Sequence, residues 1–425
     1  MLKFFGILFG GIFTSFFLFP FTFIGLPGNT KMYLAAVGLV IGIFYFVKRG
    51  KSREGIPTNL LLLFLSASLV SLTALFSITY NQTEDTTYVT YVISAAVWLS
   101  AAFAVCCFIR AVHGRIDVPL VCNYLITVCA FQCVSAMVID FVPAVKSFVN
   151  TYVEQGQVTL EDLDRLYGIG AALDVAGSRF ACVLVLITFL LHYKGNNVRI
   201  GTIWFYLVSY VIIAVIGNMI ARTTSVGLLI SAVAILLSFV FRSQDTVGSR
   251  IVIPLVAVLF VGTFSGLLLY SNPRFEELLR FGFEGVFNYF EAGEYEISST
   301  EKLKTMIVFP EELKTWIIGD GYFLSSRYDP NYLGDATEQG FYMGTDIGYL
   351  RFIFYFGIVG LLAISAVIIY TAVACSKRLP AYWFLFLLLA LVGFVVWLKV
   401  STDVFLVLAL FFCVADMQPE EEFSV

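Results

Sequence analysis

The sequence predicts an all-α polytopic membrane protein, and three observations carry that reading. Of 425 residues, 59% are hydrophobic and only 13% charged, and the mean hydropathy is +0.89, far from the composition of soluble globular chains. Twelve apolar stretches approach the length, about 20 residues, that a helix needs to cross roughly 30 Å of hydrocarbon. Two connections between them are long, 142–170 and 271–347, and most of the others are short. A soluble multidomain enzyme and a disordered scaffold are excluded by composition. A nucleic-acid partner is excluded by the net charge of −4 and the lack of any long basic run.

The first stretch, Phe4 to Leu26, follows a lone Lys3; its apolar run is too long for a signal-peptide core and no small-x-small cleavage site follows, so it reads as a span. Met32 to Val47, Leu60 to Thr79, Tyr88 to Ile109 and Val118 to Phe141 come next, before the loop 142–170. Ala171 to Tyr193, Ile200 to Gly217, Thr224 to Phe241 and Ile251 to Tyr270 precede the loop 271–347. Gly348 to Ala374, Ala381 to Leu398 and the short Asp403 to Ala415 complete the set. The chain therefore reads as one transmembrane domain, 1–425, with a smaller and a larger outer loop. With the N-terminus inside, Lys3 and the loops at Lys48 to Arg53, Arg110 to Arg115, Lys194 to Arg199, Arg242 to Arg250 and Lys377-Arg378 hold 13 of the 26 basic residues, which places both termini in the cytoplasm.

All eight cysteines fall in or beside apolar segments, where they read as small packing residues. With two histidines, His113 and His192, and no Cys-x-x-Cys pair, the sequence predicts no metal site. The 77-residue loop 271–347 is far longer than a helix connection requires. It holds fifteen aromatics and two helical-looking stretches, Pro273 to Phe290 and Ser299 to Val308, so it is expected to fold as a cap on the outer face. Fourteen acids against six bases make that cap unsuited to a broad polyanion surface. Most of its aromatics read as interfacial anchors or core, and sugar stacking is the alternative.

Outward-facing arginines run against the positive-inside bias and ask for a reason. Arg179 lies in the first turns of the sixth span, Arg222 just before the eighth and Arg351 just inside the tenth; Arg165 is a fourth candidate, with Arg280 and Arg327 of the cap weaker ones. Free N–H groups and the helix dipole at these starts already favour an anion, and a guanidinium adds a bidentate fork for phosphate oxygens. The structural alternative pairs Arg179 with Asp174 and Arg351 with Asp346, or lets each arginine snorkel to headgroups. Apart from Asp174 and Arg179 the spans read as almost free of buried charge. No Walker-type or Gly-x-Gly-x-x-Gly loop occurs, and the anion that fits an outer membrane face is a lipid-linked diphosphate.

Trp316-Ile317-Ile318-Gly319-Asp320-Gly321-Tyr322-Phe323, and then the run from Thr345-Asp346-Ile347-Gly348-Tyr349-Leu350-Arg351 to Gly360-Leu361-Leu362, resemble the end of the large periplasmic loop and the next helix of Wzy-type O-antigen polymerases, within the O-antigen ligase/polymerase superfamily. Arg222-Thr223-Thr224-Ser225-Val226-Gly227 is similar to the arginine-led helix start of that superfamily, and Arg165-Leu166-Tyr167-Gly168 to its earlier arginine motif. Span number and loop placement match over nearly the whole chain. The ligases carry a histidine in the large loop, and 271–347 has none. The resemblance thus implies a polymerase with a GT-C-like glycosyltransferase architecture in a bacterial inner membrane.

What the resemblance implies mechanistically is a metal- and cofactor-independent transfer of the growing chain from undecaprenyl diphosphate to an incoming lipid-linked repeat unit. Arg165, Arg179, Arg222, Arg351, Arg280, Arg327 and Tyr349 would bind diphosphate or substrate, and Asp346, with Glu338 as runner-up, would be the base. Asp346 reads equally as the N-cap of the tenth span. The Gly319-Asp320-Gly321 turn reads as shaping the cap through positive φ. Expected partners are the lipid-linked donor and acceptor, membrane lipid and a chain-length regulator protein. The competing readings are an O-antigen ligase-type transferase, a lipid-linked oligosaccharide flippase, and a non-enzymatic subunit of an export complex.

Overall fold

The computed structural model describes residues 2–51, 57–155, 160, 165–194, 199–241, 269–324 and 340–417. The first half of the chain forms helices α1 (Leu2–Leu18), α2 (Thr30–Lys51), α3 (Thr58–Asn81), α4 (Tyr91–His113), α5 (Val118–Phe141), α6 (Pro143–Tyr152), α7 (Leu173–Lys194), α8 (Ile200–Ile220) and α9 (Ser225–Phe241). The long loop contributes α10 (Pro273–Gly282), α11 (Glu284–Ala292), α12 (Ser298–Thr305) and α13 (Leu313–Ile317), and α14 (Gly348–Arg378), α15 (Trp383–Val396) and α16 (Phe405–Met417) follow. The strands described, β1 (Thr22–Phe23) and β2 (Val153–Glu154), pair antiparallel and tie the α1–α2 turn to the end of α6.

Among the described residues six helices, α3, α4, α5, α7, α8 and α14, are long and apolar enough to cross a membrane, and five shorter apolar helices accompany them. The protein is therefore an all-α, membrane-embedded bundle. The expected ninth span, 251–270, lies almost entirely outside the described residues, and the other eleven expected stretches are all helical. Local chemistry sets their ends. The first stops at Leu18, short of the expected Leu26, because Pro20 has no N–H and drives Phe19 out of helical geometry. Asp117 caps α5 by accepting from Leu120 N at 2.9 Å, with Pro119 in the first turn, and α4 ends on the left-handed Gly114.

The axis of the bundle is α7, buried without interruption from Ala176 to Leu190 and packed on by α5, α8, α9 and α15. A helix whose surface is apolar on nearly every side is most stable in the interior of the bundle. On the other side α4 packs against α1, α2, α3 and α16, and α14 against α3, α15 and α16. All eight cysteines are free, and only Cys107 is more than marginally accessible.

The helix α14 is broken at Phe356–Gly357, where Gly357 takes φ +69°. The freed carbonyls of Phe354 and Tyr355 accept from Asp320 N at 2.6 Å and Gly321 N at 3.1 Å, and Ser77 Oγ donates to Tyr355 O at 2.7 Å. These carbonyls, released by the kink, thus regain partners, as burial in an apolar bundle demands. The expected role of the Gly319-Asp320-Gly321 turn is visible here: Gly319 and Gly321 have φ of +85° and +76°, and a Cβ on Gly319 would lie 2.5 Å from Tyr355 O.

The loop following residue 270 folds back over the helix ends, with α10 packed on α8. The expected helical stretch Pro273 to Phe290 is divided at Phe283 into α10 and α11, and the second stretch is α12, ending at Thr305. Asn272 caps α10 by accepting from Arg274 N and Phe275 N. The short α13 was not legible as a helix in the sequence.

Candidate functional site

Four of the predicted residues come together where the 165–172 segment, the start of α7, the turn before α9 and the cap meet. The first pair is Arg165 and Arg222, whose guanidinium carbons lie 4.0 and 4.2 Å from the centre of the same Phe281 ring. Arg222 is fixed by the fold: its Nε donates to Phe281 O at 2.8 Å, Nη1 to Ser299 Oγ at 2.9 Å, and Nη2 pairs with Glu284 at 2.6 Å. Arg165 is less committed, and its buried Nε has no hydrogen-bond partner among the described residues. Burial, followed by the like charge of Arg222, lowers its pKa, against the opposing pull of Asp174. The two arginines share a cavity of about 420 Å³ with Arg274, Lys302, Ser298 and Ser299. Arg274 is already held by Asp140, at 2.9 and 3.1 Å, and by Glu277.

The second pair is Asp346 and Arg351. Arg351 lies between the rings of Phe323 and Phe341, 3.8 and 4.4 Å from their centres, and its Nη1 meets Asp346 Oδ1 at 3.3 Å. Burial pushes the Asp346 carboxyl up to about 6, against the opposing pull of Arg351. The N-cap expectation for Asp346 is corrected: α14 has Ile347 at its N-cap and no side-chain cap bond, because Asp346 turns to Arg351 instead.

Asp174 and Lys399 join the two pairs. Asp174 accepts from Lys399 Nζ at 2.9 Å and, in a short hydrogen bond, from Thr223 Oγ1. Asp174 acts electrostatically on Arg165, Arg222 and Asp346, and Lys399 acts on Asp346, so the six charged groups form one field. A small cavity of about 50 Å³ is lined by Arg165, Asp174, Arg222, Phe281 and Lys399. The expected pairing of Asp174 with Arg179 is thereby corrected, since the carboxylate faces Thr223 and Lys399. Lys399 was missed in the sequence although the expected topology makes it a base of the kind that singled out the arginines.

The remaining candidates lie apart. Arg179 is buried, with its guanidinium 5.5 Å from the Phe19 ring centre and Nε unpartnered among the described residues. It shares the bundle interior with Lys31 and Asp403, whose charges act on one another, and Asp403 accepts from Tyr91 OH at 3.1 Å. Lys31 and Asp403 are half-buried at helix ends, and their meeting with Arg179 was not legible in the sequence. Arg280 is taken up at the cap surface by Glu276 and Glu291, at 2.9 and 2.8 Å. Tyr349 donates to Phe394 O at 2.8 Å and faces α15. Glu338 and Arg327 lie outside the described residues. Among the described residues no three His, Cys, Asp or Glu side chains gather as metal ligands would.

No family model matches the chain, and neither a curated protein nor a solved structure matches it.

Proposed function

We propose that the protein polymerises lipid-linked polysaccharide repeat units at the outer face of a bacterial cytoplasmic membrane, with twelve spans and both termini inside. The observation that carries this reading is the meeting of Arg165, Arg222 and Lys399 with Asp174, Asp346 and Arg351 at the starts of α7, α9 and α14. Cations and helix N-termini suit a diphosphate, and a carboxylate with a raised pKa suits a proton acceptor that works near neutral pH. The aromatic floor supplied by Phe281 fixes the two guanidiniums before any ligand arrives.

In this mechanism the hydroxyl oxygen of the incoming repeat unit attacks the anomeric carbon of the growing chain. The bond from that carbon to the diphosphate oxygen breaks, and the electron pair leaves with undecaprenyl diphosphate. Arg165, Arg222 and Lys399 meet the developing negative charge, and Asp346 receives the hydroxyl proton. Arg351 holds the Asp346 carboxyl in place between Phe323 and Phe341. The missing loop histidine leaves this carboxylate as the proton acceptor and favours polymerase over ligase. A chain-length regulator is the proposed protein partner.

The cluster of half-buried Lys31 and Asp403 with buried Arg179 favours a second reading, a transporter of lipid-linked oligosaccharide, because ionisable groups inside a bundle often line a translocation path. Deletion of the gene in its host, followed by gel analysis of surface polysaccharide, separates the two. A polymerase leaves single repeat units on the surface, and wild type but not Arg222→Ala restores long chains. A transporter leaves no surface repeats and strands them on the inner side.

A further inference from the structure

An apolar cavity lies away from the charged site. It is an apolar groove of about 860 Å³ between α1 and α5, closed at one end by α6 and the β1–β2 pair. The face presented by α1 runs Phe4, Leu8, Gly11 and Ile12 on to Phe16, and α5 answers with Leu120, Val128 and Phe131. The two helices run parallel: Gly10 sits beside Tyr124, and Gln132 Nε2 donates to Ser15 Oγ at 3.0 Å. From Phe4 to Phe16 the groove spans about 18 Å of helix, close to the roughly 15 Å depth of one leaflet's hydrocarbon.

The two ends of this groove differ. At the far end the Gln132 amide bonds both backbone groups of Ile169 and seals the groove with neutral contacts, among Phe21, Phe23 and Tyr152. At the near end stand Lys3 and Arg115, whose charges act on His113, which lines the groove and bonds Tyr124 OH at 3.0 Å. Among the described residues one acid faces them, Asp117, 3.5 Å from Arg115 but also engaged in capping α5. Arg115 keeps a side-chain exposure of 80% and so remains open to a ligand from the surface.

We propose that the groove binds an anionic glycerophospholipid of the leaflet at the Lys3 end, with an acyl chain between α1 and α5 and the phosphate held by Lys3 and Arg115. The apolar face supplies chain burial and the basic rim supplies headgroup selectivity. A polyprenyl substrate tail is the less suited occupant, since its diphosphate would belong with Arg165 and Arg222 and not with this rim. The site stands independently of the polymerase reading.

The test uses the purified full chain, stripped of lipid and offered phosphatidylglycerol or phosphatidylcholine with matched chains, with retained lipid read by native mass spectrometry. Wild type is expected to retain phosphatidylglycerol about tenfold over phosphatidylcholine. A Cβ on Gly11 meets nothing within 4 Å, so Gly11→Phe places its ring in the groove and is expected to lower retention of both lipids. The exposed pair Lys3→Gln with Arg115→Gln, which leaves the bundle interior untouched, is expected to remove the headgroup preference while sparing chain binding. Equal retention of the two lipids by wild type would overturn the proposal, as would unchanged phosphatidylglycerol in a monodisperse Gly11→Phe protein. Displacement of phosphatidylglycerol by equimolar undecaprenyl phosphate would overturn it as well, by assigning the groove to the polyprenyl chain.

Discussion

Replacing Asp346 by asparagine separates stability from chemistry at one position. The carboxyl keeps 26% side-chain exposure beside Arg351, and its pKa stands at about 6 against an ordinary 3.8. An acid whose pKa is raised by folding binds its proton more tightly in the native state. Stability is then highest below pH 3.8, falls as pH rises through the interval up to about 6, and stays lower above it. The rise corresponds to roughly 3 kcal/mol that ionised Asp346 costs the native state at neutral pH. An amide never ionises in this range, so Asp346→Asn should match wild type near pH 4 and exceed its thermal stability at pH 7.5, by unfolding scans in detergent. The same variant should not polymerise, because the amide cannot accept the hydroxyl proton. Wild-type polymerisation should fall to about one tenth of its plateau at pH 5 as the base protonates. An asparagine variant that is active, or whose stability follows wild type at both pH values, would refute the assignment.

Three further outcomes follow from the geometry. Lys399→Ala leaves Asp174 without its cation and should raise KM for the lipid-linked donor by about tenfold or more, measured with purified protein; an unchanged KM would remove Lys399 from the site. Phe281→Leu removes the ring under both Arg165 and Arg222 and should weaken donor binding by about fivefold to thirtyfold, since each stacked cation is worth about 0.5–1 kcal/mol or more. Gly357→Ala forces φ +69° on an L-residue and puts a Cβ 2.0 Å from Ile317 O, so loss of folded protein in size-exclusion chromatography is expected.

The bundle was legible because hydropathy over a span length survives whatever the helix packs against. Its ends were less legible: the first helix was expected to run to Leu26 although Pro20 cuts it short at Leu18, whereas the expected start of α5 at Val118 falls where Asp117 with Pro119 fixes it. The break in α14 was hidden, since Phe356 and Gly357 read as apolar as their neighbours and the partners of the freed carbonyls lie on the 319–321 turn and on α3. At the site, the bias against outward bases found Arg165, Arg222 and Arg351 one by one. Their convergence on Asp174 was not legible, because it depends on contacts such as Lys399 to Asp174, 225 residues apart. The same bias applied to Lys399 would have added it. It also drew in Arg280, whose pairing with Glu276 and Glu291 gives that arginine a local use within its own acidic segment.

The most direct test of the central claim is reconstitution of the purified chain in vesicles with undecaprenyl-diphosphate-linked repeat units as the sole substrate, with products separated by length. The account predicts a ladder of lipid-linked oligomers with release of undecaprenyl diphosphate from wild type, and single units alone from Asp346→Asn. Folded wild-type protein that moves repeat units across the bilayer without lengthening them would contradict it.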